Sequence, residues 1–238
     1  RSALAIAALA IATAVTITPS LAVPAEARDT AAAPALAGAP MPPAQEVELL
    51  AWDDFEDGSI GILPDGWDPE GNFAVGYWEG EYYIYQANPE WEYFPVIYLP
   101  GYYGNATLAA DVRIVDDTED RFVSMSCRKQ DTELANEYRL LLLPAYGEFA
   151  LLSIVDGEAT ELLPWQPTPA LRRGGASNYV ELSCWKNEIS VTLNGITIGA
   201  IQDDHFAEGV FTIGTGTLPG AFGTTELRLD NLNIVGEL

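Results

Sequence analysis

The chain has 238 residues, of which 48% are hydrophobic, and it carries a formal net charge of −24 at pH 7. This length is sufficient to bury a substantial core. The dense negative charge repels phosphate backbones and anionic lipid headgroups, so we expect no nucleic acid partner. The same charge also suits a solvated surface in a salty or cation-rich medium.

The first 22 residues resemble a secretory signal peptide. After Arg1 an apolar run covers residues 3–18, and Pro19, Ser20 and the small-residue end Leu21-Ala22 follow it. The alternative is an uncleaved membrane anchor, which needs about 20 apolar residues and is disfavoured by the early Pro19. We therefore expect a secreted or cell-surface protein with no membrane insertion once the signal is removed.

Two further regions follow this segment. Residues 23–45 consist mainly of Ala, Pro and Gly, a composition with too little bulky apolar area to order itself, which predicts a disordered linker. Residues 46–238 carry the whole net charge, because Arg1, Glu26, Arg28 and Asp29 cancel one another. The length of this region favours one folded domain.

The folded region reads as a series of short strands separated by turn residues, with no convincing helix. Period-two alternation of apolar and polar residues predicts strands at Val47–Phe55, Phe73–Trp78, Glu81–Gln86, Phe94–Leu99, Ala106–Val115, Phe122–Arg128, Glu137–Leu143, Phe149–Val155, Ala159–Leu163, Tyr179–Trp185, Ile189–Leu193, Ile196–Gln202, Gly209–Thr215 and Thr225–Val235. Asn194-Gly195 is typical of a type I′ hairpin turn. This pattern predicts an all-β fold of two packed antiparallel sheets, a sandwich or jelly roll.

Two cysteines share core-facing sides of predicted strands. Cys127 alternates in phase with Val123 and Met125, and Cys184 with Val180 and Leu182. In an exported protein such a pair predicts a disulfide, worth about 4 kcal/mol on the chain-entropy model. Two separate buried thiols are the alternative.

A set of short motifs carries a family resemblance over roughly residues 52–235. It comprises Cys127-Arg128-Lys129-Gln130-Asp131, Tyr138, Gly147, Val155-Asp156-Gly157, Trp165, Gly174, Asn178, Cys184, Val191, Asn194-Gly195 and Asp230-Asn231. Together these residues resemble the concanavalin A-like lectin and glucanase superfamily, specifically the laminin-G-like jelly rolls of exported bacterial proteins, including the 3-keto-disaccharide hydrolase-type domain. The resemblance implies two curved sheets and a concave face that holds saccharide in many relatives.

Catalytic residues are not predicted. Retaining glucanases of this superfamily carry Glu-x-Asp-x-x-Glu on one strand, which places two carboxylates about 5 Å apart. The present sequence lacks that pattern, and its one histidine, His205, lies in a turn-like stretch without a nucleophile motif. We therefore expect a non-catalytic binding module for glycan or another extracellular polymer. A hydrolase with a non-standard carboxylate arrangement and a purely structural or protein-interaction domain are the alternatives.

Aromatic residues are the strongest indication of a ligand, since sugar rings stack on them. They crowd residues 78–103, where alternation places Tyr82 in the core and Tyr83 and Tyr85 on the opposite face. Core packing accounts for most of them. The predicted ligand contacts are the loop-flanking aromatics Trp91, Tyr93, Tyr102 and Tyr103.

Acidic residues near the two ends of the domain suit a structural metal. Asp53, Asp54 and Glu56 follow the first predicted strand and Asp230 lies in the last, and terminal strands of jelly rolls are often neighbours. Carboxylates are ligands for calcium. We expect no required cofactor. The metal that the sequence favours is structural calcium, bound by these four residues or by the acidic loop 116–120.

Overall fold

A computed structural model of the protein describes residues 47–88, 94–115, 120–218, 221 and 223–237. The predicted signal peptide, the predicted linker and most of the acidic loop 116–120 lie outside these residues. Within them, no segment forms a helix with the length and apolar character of a membrane span.

Fifteen strands and no helix run through the described residues. They are β1 (Glu48–Asp53), β2 (Gly66–Trp67), β3 (Phe73–Trp78), β4 (Glu81–Gln86), β5 (Val96–Tyr98), β6 (Ala106–Ile114), β7 (Arg121–Lys129), β8 (Glu137–Leu143), β9 (Glu148–Val155), β10 (Glu158–Pro167), β11 (Asn178–Trp185), β12 (Glu188–Leu193), β13 (Ile196–Gln202), β14 (Val210–Thr217) and β15 (Thr225–Gly236). The predicted strands are all present, with ends shifted by a few residues, and only β2 was missed.

The strands form two antiparallel sheets, as predicted. A nine-stranded sheet has the order β13-β12-β11-β6-β15-β4-β3-β2, with β1 paired to β15 outside this path. A six-stranded sheet has the order β10-β9-β8-β7-β14-β5. The inward-facing apolar residues of both sheets form one hydrophobic core. The architecture is a jelly-roll sandwich.

The two sheets differ in how they meet solvent. In the nine-stranded sheet, burial alternates along the strands, as in β4 and β11, so one face packs on the core and the other faces water. In the six-stranded sheet, eight of the nine residues of β7 are buried, on both faces. The central strand β7 is therefore covered on both faces, whereas the outer face of the nine-stranded sheet is open.

A disulfide joins the two sheets across the core. Cys127 lies on β7 of the six-stranded sheet and Cys184 on β11 of the nine-stranded sheet, with their Cα atoms 6.5 Å apart. Both residues are no more than 1% exposed. The predicted pairing is confirmed.

Tight hairpins connect successive strands where the sequence places Gly after a residue that tolerates left-handed backbone. Asn194 and Gly195 have φ angles of 51° and 79°, as a type I′ turn requires. The same pair of positive angles occurs at Asp156-Gly157 and Glu79-Gly80. These turns fix the register of their hairpins, which sets the face on which each side chain lies.

Candidate functional site

An aromatic cleft lies on the open face of the nine-stranded sheet. We use this name for the pocket of about 230 Å³ lined by Trp67, Ala74, Trp78, Tyr83, Tyr85, Glu226 and Arg228. These residues come from β2, β3, β4 and β15, which are adjacent in the sheet. The cleft therefore combines neighbouring strands from both ends of the domain sequence.

Strand register explains how the cleft residues meet. One row across the sheet pairs Trp67 with Ala74, Ala74 with Tyr85, and Tyr85 with Glu226. The next row pairs Gly76 with Tyr83 and Tyr83 with Arg228. Because period-two alternation sends every second residue to the same face, the aromatic side chains project together into solvent.

Small residues on β3 form the floor of the cleft. Ala74 points to the open face but is only 1% exposed, because its larger neighbours cover it. A Cβ atom at Gly76 would lie 2.6 Å from Oδ1 of Asp65 and 3.2 Å from Tyr83 Cε1. The absence of a side chain at Gly76 thus leaves room for the Asp65 carboxylate and the Tyr83 ring.

The two tryptophans of the cleft are unusually exposed. Trp67 is 72% and Trp78 is 57% exposed. Large apolar side chains that share an exposed patch commonly mark a binding surface. Flat indole faces can stack on the C–H faces of a sugar ring.

Charged residues in the cleft and beside it form ion pairs. The Arg228 guanidinium lies 5.7 Å from the centroid of the Tyr83 ring and donates through Nε to Glu226. On the neighbouring strand, Arg113 donates two hydrogen bonds to Glu81, of 3.0 and 2.6 Å. This network holds the arginine heads in place beside the aromatic rings.

The Tyr83 hydroxyl keeps its proton at neutral pH. Burial raises its pKa, the Asp65 and Glu226 carboxylates act in the same direction, and Arg228 opposes them. A protonated hydroxyl can donate as well as accept a hydrogen bond. The cleft thus offers stacking faces with polar groups at their edges.

Of the four predicted aromatic contacts, the two that the structure describes, Tyr102 and Tyr103, do not line the aromatic cleft. Trp91 and Tyr93 are outside the described residues. Tyr102 is exposed, and its hydroxyl lies 3.4 Å from Oε1 of Gln130. Tyr103 is half-buried with its ring 5.5 Å from that of Phe211, and its hydroxyl donates to the carbonyl of Pro100. The ligand role of these four residues stays a prediction.

The predicted metal ligands are divided between two environments. Asp53 is buried, and its carboxylate accepts hydrogen bonds from Phe55 N at 2.8 Å, Ile62 N at 3.0 Å and the Tyr77 hydroxyl at 2.9 Å. These donors satisfy Asp53 within the loop that follows β1. Asp54 accepts from the amide of Glu56 at 3.3 Å.

Asp230 lies on the open face of the nine-stranded sheet, directly opposite Asp111 in the strand register. Burial raises the pKa of Asp230, and the carboxylates of Asp111, Glu81 and Asp54 act in the same direction, while the amide of Asn231 opposes them. Among the described residues no group of three or more metal-ligating side chains is placed to hold an ion, so structural calcium stays a prediction.

Sequence reasoning missed the residues that complete the cleft. Trp67 lies between Pro64 and Pro69 in a stretch that reads as a loop, yet Gly66 and Trp67 form the short strand β2. Glu226 and Arg228 belong to a predicted strand, but nothing local indicates that this strand adjoins β4. Alternation along β4 did indicate correctly that Tyr83 and Tyr85 share the open face.

No protein-family model and no curated protein matches the chain. Solved structures do match it. A Bacillus licheniformis beta-glucanase aligns with a TM-score of 0.59 and 10% identity, over 77% of this chain and 96% of that one. A kappa-carrageenase from Zobellia galactanivorans aligns with a TM-score of 0.57 and 13% identity, over 82% and 97%. The fold is the concanavalin A-like jelly roll. A structure described for endo-acting O-glycanases of the human gut microbiota aligns similarly, with a TM-score of 0.59 and 10% identity, over 80% and 100%.

Proposed function

We propose that the domain is an exported, non-catalytic module that binds glycan through the aromatic cleft. The observation that carries this proposal is the pair of exposed tryptophans, Trp67 and Trp78, which line one pocket together with two tyrosines. Exposing two indoles in one patch leaves apolar area in water that a ligand can cover.

The polar edge of the cleft matches the needs of sugar hydroxyls. Glu226 can accept hydrogen bonds, Arg228 can donate them, and the Tyr83 hydroxyl can do both. Glu226 and Glu81 each form an ion pair with an arginine, which fixes the positions of these carboxylates. A wall of aromatic faces with a polar rim favours a saccharide over a purely apolar ligand.

Two features support the proposed export of the protein. The disulfide between Cys127 and Cys184 suits an oxidising compartment. The apolar segment of residues 1–22 has the character of a signal peptide.

The names of the structural neighbours, a beta-glucanase and a kappa-carrageenase, point to the polysaccharides on which those proteins act.

A glycan array followed by calorimetry tests the proposal. The wild-type domain should bind at least one neutral glycan, and Trp67→Ala or Trp78→Ala should each weaken that binding at least tenfold, about 1.4 kcal/mol. Trp165→Ala is the matched control, because Trp165 is 38% exposed on β10 of the other sheet. Its binding should equal that of the wild type.

Two results would contradict the proposal. One is a folded double variant, Trp67→Ala with Trp78→Ala, that retains wild-type affinity for the bound glycan. The other is release of new reducing ends when the wild-type protein is incubated with that glycan, which would favour the hydrolase alternative.

A further inference from the structure

A second pocket lies on the outer face of the six-stranded sheet. We call it the charged pocket; it measures about 270 Å³ and is lined by Phe94, Val96, Tyr98, Lys129, Glu137, Arg139 and Thr212. One row of its strand register pairs Tyr98 with Thr212, Thr212 with Ser126, and Ser126 with Arg139. The charged pocket therefore spans four adjacent strands of the sheet opposite the aromatic cleft.

Among the lining residues Thr212 is small and polar, and its register partner Ser126 lies beside it on β7. Ser126 is 1% and Thr212 is 2% exposed. The Arg139 guanidinium lies 5.1 Å from the centroid of the Phe94 ring, and Lys129 Nζ lies 5.9 Å from that of Tyr98. These cation–π contacts hold both positive side chains against the pocket wall.

The described residues that line this pocket carry a net charge opposite in sign to that of the protein. Glu137 has a side chain only 1% exposed, and it contacts two cations: Lys129 Nζ at 3.1 Å from its Oε2, and Arg139 Nη2 at its Oε1. Among the described lining residues, two positive groups thus surround one negative group. The remaining positive charge favours an anion, although the chain as a whole carries −24.

Hydrogen-bond donors in the charged pocket are left over. The Arg139 Nε atom is buried, and within the described part of the chain it has no hydrogen-bond partner; Glu137 Oε2 likewise accepts no hydrogen bond there, although Lys129 Nζ lies 3.1 Å from it. The Lys129 ammonium carries three N–H groups, more than its contact with Glu137 uses. Buried donors without acceptors are costly, so an incoming acceptor group would be stabilised here.

We propose that the charged pocket binds the oxyanion group of an acidic saccharide, a carboxylate or a sulfate, between Arg139 and Lys129. The saccharide part rests on the proposed function, whereas the preference for an anion rests on this pocket alone. Phe94 and Tyr98 hold the two cations against the pocket wall, and Glu137 competes with the ligand for them. The pocket volume is below the range typical of drug-sized ligands, which suits one anionic group with part of its ring.

Calorimetry with three probes tests this inference on the full chain: trigalacturonate, a sulfated galactose disaccharide and its unsulfated counterpart. Arg139→Gln should weaken binding of the acidic probes at least tenfold, and Lys129→Met should weaken it severalfold. Glu137→Gln should strengthen it severalfold, because it removes the competing carboxylate. A merely structural role for Glu137 would produce the opposite change.

Arg172→Gln is the matched control, since Arg172 is an exposed arginine that does not line the pocket. It should leave the affinity unchanged. Wild-type binding should also weaken as salt is raised from 0.05 to 0.5 M, because added ions screen the charges. This measurement needs no variant, so it applies even if Arg139→Gln fails to fold.

The outcomes separate this site from the aromatic cleft. Loss of acidic-probe binding in Arg139→Gln, with retention in the Trp67→Ala Trp78→Ala double variant, supports the charged pocket whether or not the cleft binds glycan. Selective binding of trigalacturonate or of the sulfated disaccharide identifies the source of the oxyanion. The inference is overturned if neither acidic probe binds the folded wild-type protein at millimolar concentration. It is also overturned if the Arg139→Gln variant binds the acidic probes with wild-type affinity, or if the Glu137→Gln variant binds them more weakly than the wild type.

Discussion

Arg128 offers the sharpest test of how the domain is held together, because it is a charged side chain buried without a carboxylate partner among its hydrogen bonds. It is 2% exposed and has a φ of 53°, at the point where the register between β7 and β14 shifts. Its guanidinium donates to the carbonyls of Phe206 at 2.7 Å, Lys186 at 2.6 Å and Gly104 at 3.3 and 3.1 Å. Burial lowers the pKa of Arg128 because it disfavours the charged form.

Replacing Arg128 with Met should destabilise the domain severely. Met fills similar space but leaves three carbonyls without this donor. The bond to Phe206 is buried and those to Gly104 and Lys186 are part-buried, and an unsatisfied buried acceptor costs about 1–3 kcal/mol. Removal of a desolvated charge offsets part of this cost. We expect a net loss of about 4 kcal/mol in the free energy of unfolding, or roughly 8–16 °C in Tm for a domain of this size.

Urea denaturation followed by tryptophan fluorescence measures this loss, with the disulfide intact in every sample. Arg128→Lys should recover only part of the stability, since an ammonium cannot reproduce the planar fork of donors. Arg172→Met, at an exposed arginine, should change the free energy by less than about 0.5 kcal/mol. A loss below about 1 kcal/mol in Arg128→Met would refute the idea that these carbonyls depend on the guanidinium.

Three other changes have predictable effects. Replacing Cys127 and Cys184 with Ser should lower the free energy of unfolding by about 4 kcal/mol, since the bond closes a loop with a sequence separation of 57, and reductant should then have no further effect in a thermal melt. Gly195→Ala should cost about 1–2 kcal/mol in urea, because φ is 79° while no atom lies within 4 Å of the added Cβ; an unchanged midpoint would contradict the turn assignment. Asp230 has a raised folded pKa, so the folded state binds more protons than the unfolded state and stability falls as pH rises from the ordinary Asp value through the raised one. Asp230→Asn should therefore be more stable than the wild type at pH 7 and equal to it at pH 3; equal stability at both pH values would contradict the shift.

Local features of the sequence were sufficient to predict most of the strands and their faces. Alternation along β4 indicated correctly that Tyr82 is buried while Tyr83 and Tyr85 face outward, because successive side chains of a strand point to opposite faces. Asn194-Gly195 indicated a hairpin because few other dipeptides tolerate two positive φ angles. The disulfide was predictable because both cysteines shared the apolar phase of their strands.

The candidate sites depended on contacts that no local pattern contains. Arg228 lies beside Tyr83 only because β15 pairs with β4, although the two strands are far apart in sequence. Trp67 joins the aromatic cleft because Gly66 and Trp67 pair with β3, and a two-residue strand is too short to show any alternation.

The sequence by itself therefore determined the strands, their inward and outward faces, the hairpins and the disulfide, since each depends on the phase of neighbouring residues. Tertiary structure decided which outward faces became the aromatic cleft and the charged pocket. The physical reason is that sheet order comes from pairing between distant strands, which is governed by the shared core and not by the composition of either strand alone.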